Sequence, residues 1–284
     1  MARKIILSAS RRTDLPQFYY GWLQQVLKEG QVVVANPRFQ DKCTVVDVRP
    51  ENVHTLVLWS KDYSQVVQAP GRLEDYNLYF QFTINNYAKT IEPQVPDYSY
   101  SLQTLEKLLA VYRPEQFNIR FDPVLISTRG EIAANPNKPG RARLEAFSML
   151  CRDLSRLGMQ NARITTSYVE MYGHVTRRLR VAGIDNVPLN DMLQERFFSL
   201  MVDIASSYGF MLYACASWLV ERVPGLAGGR CIDGYLLEKL FGGKVSKAKD
   251  QGQRRSCLCH KSIDIGGYDK ACAGGCLYCY ANRS

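Results

Sequence analysis

Residues 77–126 contain the runs NLYFQFTIN (77–85), SLQTLEKLLAVY (101–112) and FNIRFDPVLI (117–126). The first and third are short and rich in aromatic and β-branched residues, so they read as buried strands. The second carries apolar residues at helical spacing and reads as an amphipathic helix. A strand that reaches a second strand through a helix pairs with it in parallel. This unit therefore decides the fold class.

The same alternation runs outward in both directions. Upstream lie a strand at KIILS (4–8), a helix at QFYYGWLQQVLKE (17–29) ended by Gly30, and two short strands at QVVVANP (31–37) and CTVVDV (43–48). A strand at HTLVLWS (54–60) and a helix opening at DYSQVV (62–67) follow. Downstream come a helix at RLEAFSMLCRDLSRLG (143–158), a strand at ARITTSYV (162–169), helices over 174–182 and 189–207, and a strand at FMLYACAS (210–217). Persistence of the rhythm over this length predicts an α/β protein with a parallel (β/α) partial TIM-like barrel, and an open doubly wound sheet is the alternative. No GxGxxG turn follows the first strand, which argues against dinucleotide binding. STRGEIAANPNKPGR (127–141) reads as a loop excursion. From 218 the rhythm is expected to fail, so the chain divides into a partial barrel, 1–217, and a cysteine-rich segment, 218–284. That segment retains one helix at IDGYLLEKLFGG (232–243) and is too short and polar to fold alone, so it must dock on the barrel or be organised by metal.

With 284 residues, 46% of them hydrophobic, the chain can bury one dominant core. Lys and Arg number 36 against 27 Asp and Glu, a formal charge of +9. The basic groups are scattered: Arg11–Arg12, Arg141 to Arg143, RRLR at 177–180 and Arg254–Arg255. They suit a small anionic substrate, leave nucleic acid open as a partner, or are simply solvated. The N-terminal run does not read as an export signal and no apolar run is long enough to span a bilayer, so a cytoplasmic protein with no membrane partner is expected. Nine cysteines in a reducing compartment point to metal rather than disulfides, and five of them fall in the last 28 residues.

Three of these, Cys272, Cys276 and Cys279, are spaced Cys-x3-Cys-x2-Cys, with Tyr278 before the last. One tight loop can present three such thiolates to a single iron–sulfur cubane and leave one iron open to an external ligand. The spacing resembles the CxxxCxΦC loop of the radical S-adenosylmethionine superfamily, in which Φ is aromatic. There the loop holds a 4Fe-4S cluster whose open iron is chelated by the amine and carboxylate of S-adenosyl-L-methionine. That loop ordinarily follows the first barrel strand, a slot filled here by SASRRTDLP (8–16). SASRRTDLP, RFDPV (120–124) and CLCHKSIDIGGYDKACAGGCLYCYA (257–281) resemble the DUF1848 family over nearly the whole chain, and RFDP is similar to spore photoproduct lyases.

The resemblance implies a barrel of the radical SAM type with the cysteine-rich tail docked on its mouth beside SASRRTDLP. It further implies cleavage of S-adenosylmethionine to a 5′-deoxyadenosyl radical for hydrogen abstraction, with electrons from a donor such as flavodoxin or ferredoxin. It names no substrate and no catalytic residue. The alternatives are nucleic-acid repair of the spore photoproduct lyase kind, a non-catalytic zinc or iron–sulfur binding module, and a redox sensor.

Cys215, Cys231, Cys257 and Cys259 number a full ligand set for a second iron–sulfur cluster, with a zinc site as the competitor and His260 as a substitute ligand in either. Cys43 and Cys151 read as core residues. Polar residues at the predicted strand C-termini supply cofactor-binding candidates, because barrel enzymes place their chemistry at that face. They are Ser10, Arg11, Arg12, Asp14, Lys61, Thr83, Arg120, Asp122 and Ser167, joined by Tyr278 from the loop. Arg11 and Arg12 can grip a carboxylate or phosphate. Arg120 and Asp122 share a strand face, so an ion pair that only braces the sheet is the alternative for them. His54 reads as structural, and His174 opens a basic helix whose arginines are expected to face solvent.

Overall fold

The computed structural model describes residues 3–35, 42–127, 140–267 and 270–282. Most of the predicted excursion at 127–141 lies outside the described residues.

Eight strands form one parallel sheet: β1 (Ile5–Ala9), β4 (Val53–Ser60), β5 (Leu78–Thr83), β6 (Phe117–Val124), β7 (Arg163–Tyr168), β8 (Leu212–Cys215), β9 (Ala227–Gly229) and β10 (Ile263–Asp264). Their order is β10-β1-β4-β5-β6-β7-β8-β9. From β1 to β9 that order follows the chain without reversal, so the switch point that defines a doubly wound sheet is missing. No ladder joins β9 to β10 among the described residues, and the sheet is open rather than a closed barrel. The expectation that strands end near 217 is corrected by β9 and β10, which bring the last quarter of the chain into the same sheet.

The middle strands are buried on both faces, as a parallel sheet requires. On one face Leu56, Leu58, Phe80, Phe82, Ile119 and Phe121 pack in the main core. That layer is completed by α4 (Tyr98–Leu109), α5 (Arg141–Arg156) and α7 (Asp191–Ser207), whose Leu105, Phe147 and Met201 are fully buried. On the other face Ile6, Val57 and Tyr79 meet Ile232, Cys231 and α8 (Gly234–Phe241). Alternation along each strand thus sends aliphatic and aromatic residues to the helices and mixed polar residues to the opposite face.

Pro123 falls inside β6 and cannot donate to the ladder, and the register with β7 shifts between Phe121 and Val124. The helix expected over 17–29 is two helices, α1 (Leu15–Phe18) and α2 (Tyr20–Glu29). Asp14 caps the first of them, accepting from the Gln17 N–H at 3.0 Å, and Gly30, at a φ of 73°, ends the second.

β2 (Gln31–Ala35) and β3 (Cys43–Asp47) form a separate antiparallel ribbon. The placement of Cys43 in a core is corrected: it is exposed, at the end of that ribbon where it pairs with Ala35. Cys151 is buried on α5, and burial pushes its thiol up to about 12. The folded thiol therefore holds its proton more tightly than the unfolded one, and this contribution to stability is lost as pH rises from about 9 towards 12. Under native conditions at neutral pH, iodoacetamide should label Cys43 at least about tenfold faster than Cys151, read by peptide mass spectrometry. Equal rates would mean that α5 opens as readily as the ribbon.

Candidate functional site

Three chain segments meet beyond the C-terminal end of β1. β10 pairs with β1 through Leu7↔Ile263 and Ser8↔Asp264. The Asp264 carboxylate accepts from Ser8 Oγ (3.0 Å), Ser10 Oγ (2.5 Å) and the Arg11 N–H (2.9 Å). Arg12 Nη1 donates to the Gly266 carbonyl (3.1 Å), Thr13 Oγ1 to that of Lys270 (2.6 Å) and the Tyr19 hydroxyl to that of Ala271 (2.7 Å). A Cβ at Gly266 would lie 2.1 Å from Ser10 Oγ, so only glycine lets the tail pass this close. SASRRTDLP and the cysteine-rich tail therefore lie against each other, with Ser10 and Arg12 in the contact.

The loop carrying Cys272, Cys276 and Cys279 is held by backbone bonds. The Leu277 N–H donates to Ile91 O at 3.0 Å and the Cys279 N–H to Cys276 O at 3.1 Å. A Cβ at Gly274 would lie 3.5 Å from Cys272 Sγ and 3.8 Å from Cys276 Sγ, so both sulfurs face one small space that glycine leaves open. Cys279 interacts electrostatically with both of them. Arg178 of α6 (Gly173–Val181) clamps the loop, donating to the carbonyls of Leu277 (3.1 Å), Cys279 and Asn282. His174 adds a contact from Nε2 to Tyr280 O at 3.2 Å. The expectation of solvent-facing arginines on this helix is corrected for Arg178. It shares a helical face with Val175 and Leu179, which are buried.

Beneath the loop lies a buried polar network. Lys61 Nζ pairs with Glu92 Oε1 at 2.8 Å, and the Tyr278 hydroxyl donates to the same oxygen. Asn85 Nδ2 contacts both Glu92 (3.1 Å) and Tyr278 (3.0 Å). Burial opposes the Glu92 charge, but Lys61 outweighs it and holds the carboxyl below its usual range. Burial likewise opposes the Lys61 ammonium, while Glu92 and then Cys276 raise it above the usual lysine range. Asp14 accepts from Ser60 Oγ (2.7 Å) and the Lys61 N–H (3.0 Å), yet burial dominates and pushes its carboxyl up to about 6. Burial also raises Tyr278 well above an ordinary phenol, so it remains a donor. Sequence reading missed Glu92 and Asn85. They sit in the connection between β5 and α4, where no periodicity distinguishes them, and their partners lie up to 193 residues away.

The four remaining cysteines form a second group, packed with Ile6, Val57 and Tyr79. Cys231 Sγ lies 3.5 Å from Cys215 Sγ, and Cys259 interacts electrostatically with both Cys231 and Cys257. Cys231, Cys257 and Cys259 are buried. Arg120 Nη1 donates to Cys231 Sγ at 2.9 Å, and its Nη2 pairs with Asp122. Ser167 Oγ donates to Asp122, and Asn85 bonds the Asp122 backbone from both its amide nitrogen (2.9 Å) and its amide oxygen (2.7 Å), which ties the two thiol groups together. Arg11 and Arg120 both lie over the Trp59 ring, at 5.3 and 5.4 Å from its centroid. Arg11 reaches Asp250 (3.5 Å) and Ser262 (3.3 Å), and its buried Nη2 has no hydrogen-bond partner among the described residues.

Two further candidates are Thr83 and His260, and His54 is structural. Thr83 lines a cavity of about 430 Å³ with Asn85, Lys89, Glu92, Tyr98 and Met149. His260 is buried, but its Nδ1 accepts from the Gly234 N–H at 2.8 Å, so that nitrogen serves α8. His54 bonds Thr55 Oγ1 (2.7 Å) and Gly242 O (2.6 Å) and ties α8 to β4.

Among the described residues, no group of three or more His, Cys, Asp or Glu side chains is arranged to hold a metal ion. The donor chemistry of the Cys272, Cys276 and Cys279 loop still fits an iron–sulfur cluster. A cubane takes each thiolate on a different iron, which spaces the sulfurs more widely than ligands of one ion, and Gly274 leaves room on the side that Cys272 and Cys276 share.

Among the described residues no helix is long and apolar enough to cross a membrane. No curated protein matches the chain, and no solved structure does. The model of one family, described as a domain of unknown function, DUF1848, matches residues 6–281. A match that spans the sheet, the SASRRTDLP segment and all seven clustered cysteines makes this chain a member of the DUF1848 family.

Proposed function

We propose that this chain is a radical S-adenosylmethionine enzyme with a partial (β/α) TIM-like barrel architecture, acting on a small or anionic substrate in the cytoplasm. The observation that carries the reading is the position of the three-thiol loop. It lies beside Asp14 and Lys61, where barrel enzymes place their chemistry, at the C-terminal ends of β1 and β4.

Cys272, Cys276 and Cys279 would hold a 4Fe-4S cluster with one iron left for the cofactor. When bound, that cluster supplies the electron that cleaves S-adenosyl-L-methionine to methionine and a 5′-deoxyadenosyl radical. The chain's own residues prepare the place. Burial dominates and holds the Cys276 thiol well above its usual range, and the buried Lys61 charge beside it acts in the opposite direction, towards the thiolate. Arg178 fixes the loop by its carbonyls and leaves the thiols to point inward. Tyr278 and Glu92 seal the floor against water, being 7% and 2% exposed. Arg11 offers its unpartnered Nη2 to a carboxylate, and Asp14 retains acceptor capacity for an amine or ribose hydroxyl. Closing the site from bulk solvent shields a reactive intermediate from side reactions, which is why burial of this floor suits the reaction. A small electron-transfer protein such as flavodoxin or ferredoxin would supply the reductant.

The test is anaerobic purification, cluster reconstitution and dithionite reduction, with chromatography for 5′-deoxyadenosine. Wild-type protein should produce it, and Cys276→Ala should not. A wild-type protein that carries a cluster and leaves S-adenosylmethionine intact would overturn the proposal.

A further inference from the structure

Cys215 closes β8, and Cys231 follows β9, the three-residue edge strand that pairs with β8 through Cys215↔Gly229. Their sulfurs stand 3.5 Å apart, with the Cys231 thiol donating to Cys215 Sγ. This is a contact between two thiols, and closing it to the S–S length of about 2.05 Å takes an approach of about 1.5 Å. Thiolates on different irons of a cubane stand farther apart, so the pair suits a bond between its own sulfurs.

The surroundings keep both sulfurs neutral. The guanidinium groups nearby already have carboxylates: Arg120 pairs with Asp122, and Arg11 pairs with Asp250 while its backbone N–H serves Asp264. The hydrogen bond with Cys231, and then burial, hold the Cys215 thiol well above its usual range. Two protonated thiols in contact are the reduced half of a two-electron couple. Cys215 is half-buried while Cys231, Cys257 and Cys259 are buried, so an oxidant meets Cys215 first and has to be small. Cys259, the other sulfur that Cys231 feels, is engaged by the Ile232 N–H at 3.5 Å. The thiolate is the reacting form, so a pair held protonated answers sustained oxidant rather than turning over as a peroxidase.

We infer that Cys215 and Cys231 form a reversible dithiol–disulfide site that reacts with a small hydroperoxide and, once closed, staples β8 to the segment leaving β9. In the first step Cys215 Sγ gives up its proton and attacks one oxygen of hydrogen peroxide. The O–O bond breaks, the sulfur becomes a sulfenic acid and one water leaves. In the second, Cys231 Sγ attacks that sulfur, the S–O bond breaks, and the hydroxyl leaves as a second water with the Cys231 proton. Two thiols and one peroxide thus give one disulfide and two waters, the sulfurs losing the two electrons that the peroxide oxygens gain. A small dithiol reductant reopens the bond by exchange.

The inference is independent of the function proposed above. It is tested on wild type and on the Cys272→Ala/Cys276→Ala/Cys279→Ala variant, both prepared reduced under anaerobic conditions and then exposed to a small excess of hydrogen peroxide. After remaining thiols are blocked with iodoacetamide, the proteins are digested with trypsin without reduction. Peptide 197–222, which carries Cys215, should be found joined to peptide 231–239, which carries Cys231, with the loss of two hydrogens, and dithiothreitol should separate them. In Cys231→Ser, dimedone should trap Cys215 as its sulfenic acid. Oxidation should raise the thermal midpoint of the triple variant by about 5 °C, the effect of constraining a loop of this length, and reduction should reverse the rise. The inference is overturned if Cys215 and Cys231 are recovered alkylated after the exposed Cys43 has been oxidised, if Cys231 is joined to Cys259 instead, or if the link closes without raising the midpoint. The triple variant lacks the thiols of the terminal loop, so none of these outcomes bears on cleavage of S-adenosylmethionine.

Discussion

Glu92→Ala should lower the free energy of unfolding by about 3–5 kcal/mol, the cost of leaving one partner of a buried ion pair alone. Lys61 and Glu92 are only 16% and 2% exposed, so the orphaned ammonium would have no ready route to water. The substitution also strips the acceptor from the buried Tyr278 hydroxyl, whereas Asn85 Nδ2 keeps the Asp122 carbonyl. Denaturant titration with an unchanged slope measures this directly. Removing both charges together, as Lys61→Met with Glu92→Leu, should recover much of the loss, because an apolar pair of similar volume can replace a buried ion pair. A loss under about 1 kcal/mol for Glu92→Ala would show that water reaches the pair and that the floor is not sealed.

Asp264→Ala should release the tail. One carboxylate collects three hydrogen bonds from Ser8, Ser10 and the Arg11 N–H, and it does so across the β1–β10 pairing. Because a two-residue strand contributes few ladder bonds of its own, the carboxylate ties the segments together alongside the bonds from Arg12, Thr13 and Tyr19. Charge-assisted bonds of this kind contribute about 1.5–3 kcal/mol each, and they are not additive. A net cost of about 3 kcal/mol would raise the tail-open population roughly a hundredfold. Limited proteolysis between residues 244 and 256 reads that population, and cleavage at the wild-type rate would contradict the role given to Asp264.

The strands at the centre of the sheet were legible because each is a run of large apolar residues bounded by turns. NLYFQFTIN and HTLVLWS correspond to β5 and β4 within two residues at either end. β9 and β10 were not, since strands of three and two residues have no period to detect. Cys43 was misplaced for a related reason: a β-branched run such as CTVVDV looks buried whether it joins the sheet or stands off in a ribbon.

The chemistry was legible where it was local. Spacing alone singled out Cys272, Cys276 and Cys279, and tail cysteine density pointed to Cys257 and Cys259. Glu92, Asn85, Asp264 and Arg178 were invisible, because each takes its meaning from a partner far along the chain. Asp264, for instance, bonds Ser8 from 256 positions away. Arg178 was hidden in a basic run that reads as a solvated face, and only the folded helix shows which of its arginines turns inward.

The central claim is that the terminal cysteine loop carries a cluster with an iron open to S-adenosylmethionine. Electron paramagnetic resonance of the dithionite-reduced protein, with and without that cofactor, tests it most directly. Adding S-adenosylmethionine should change the signal of the wild type, and that change should be lost in the Cys272→Ala/Cys276→Ala/Cys279→Ala variant. A wild-type cluster signal that stays the same with saturating S-adenosylmethionine would contradict it.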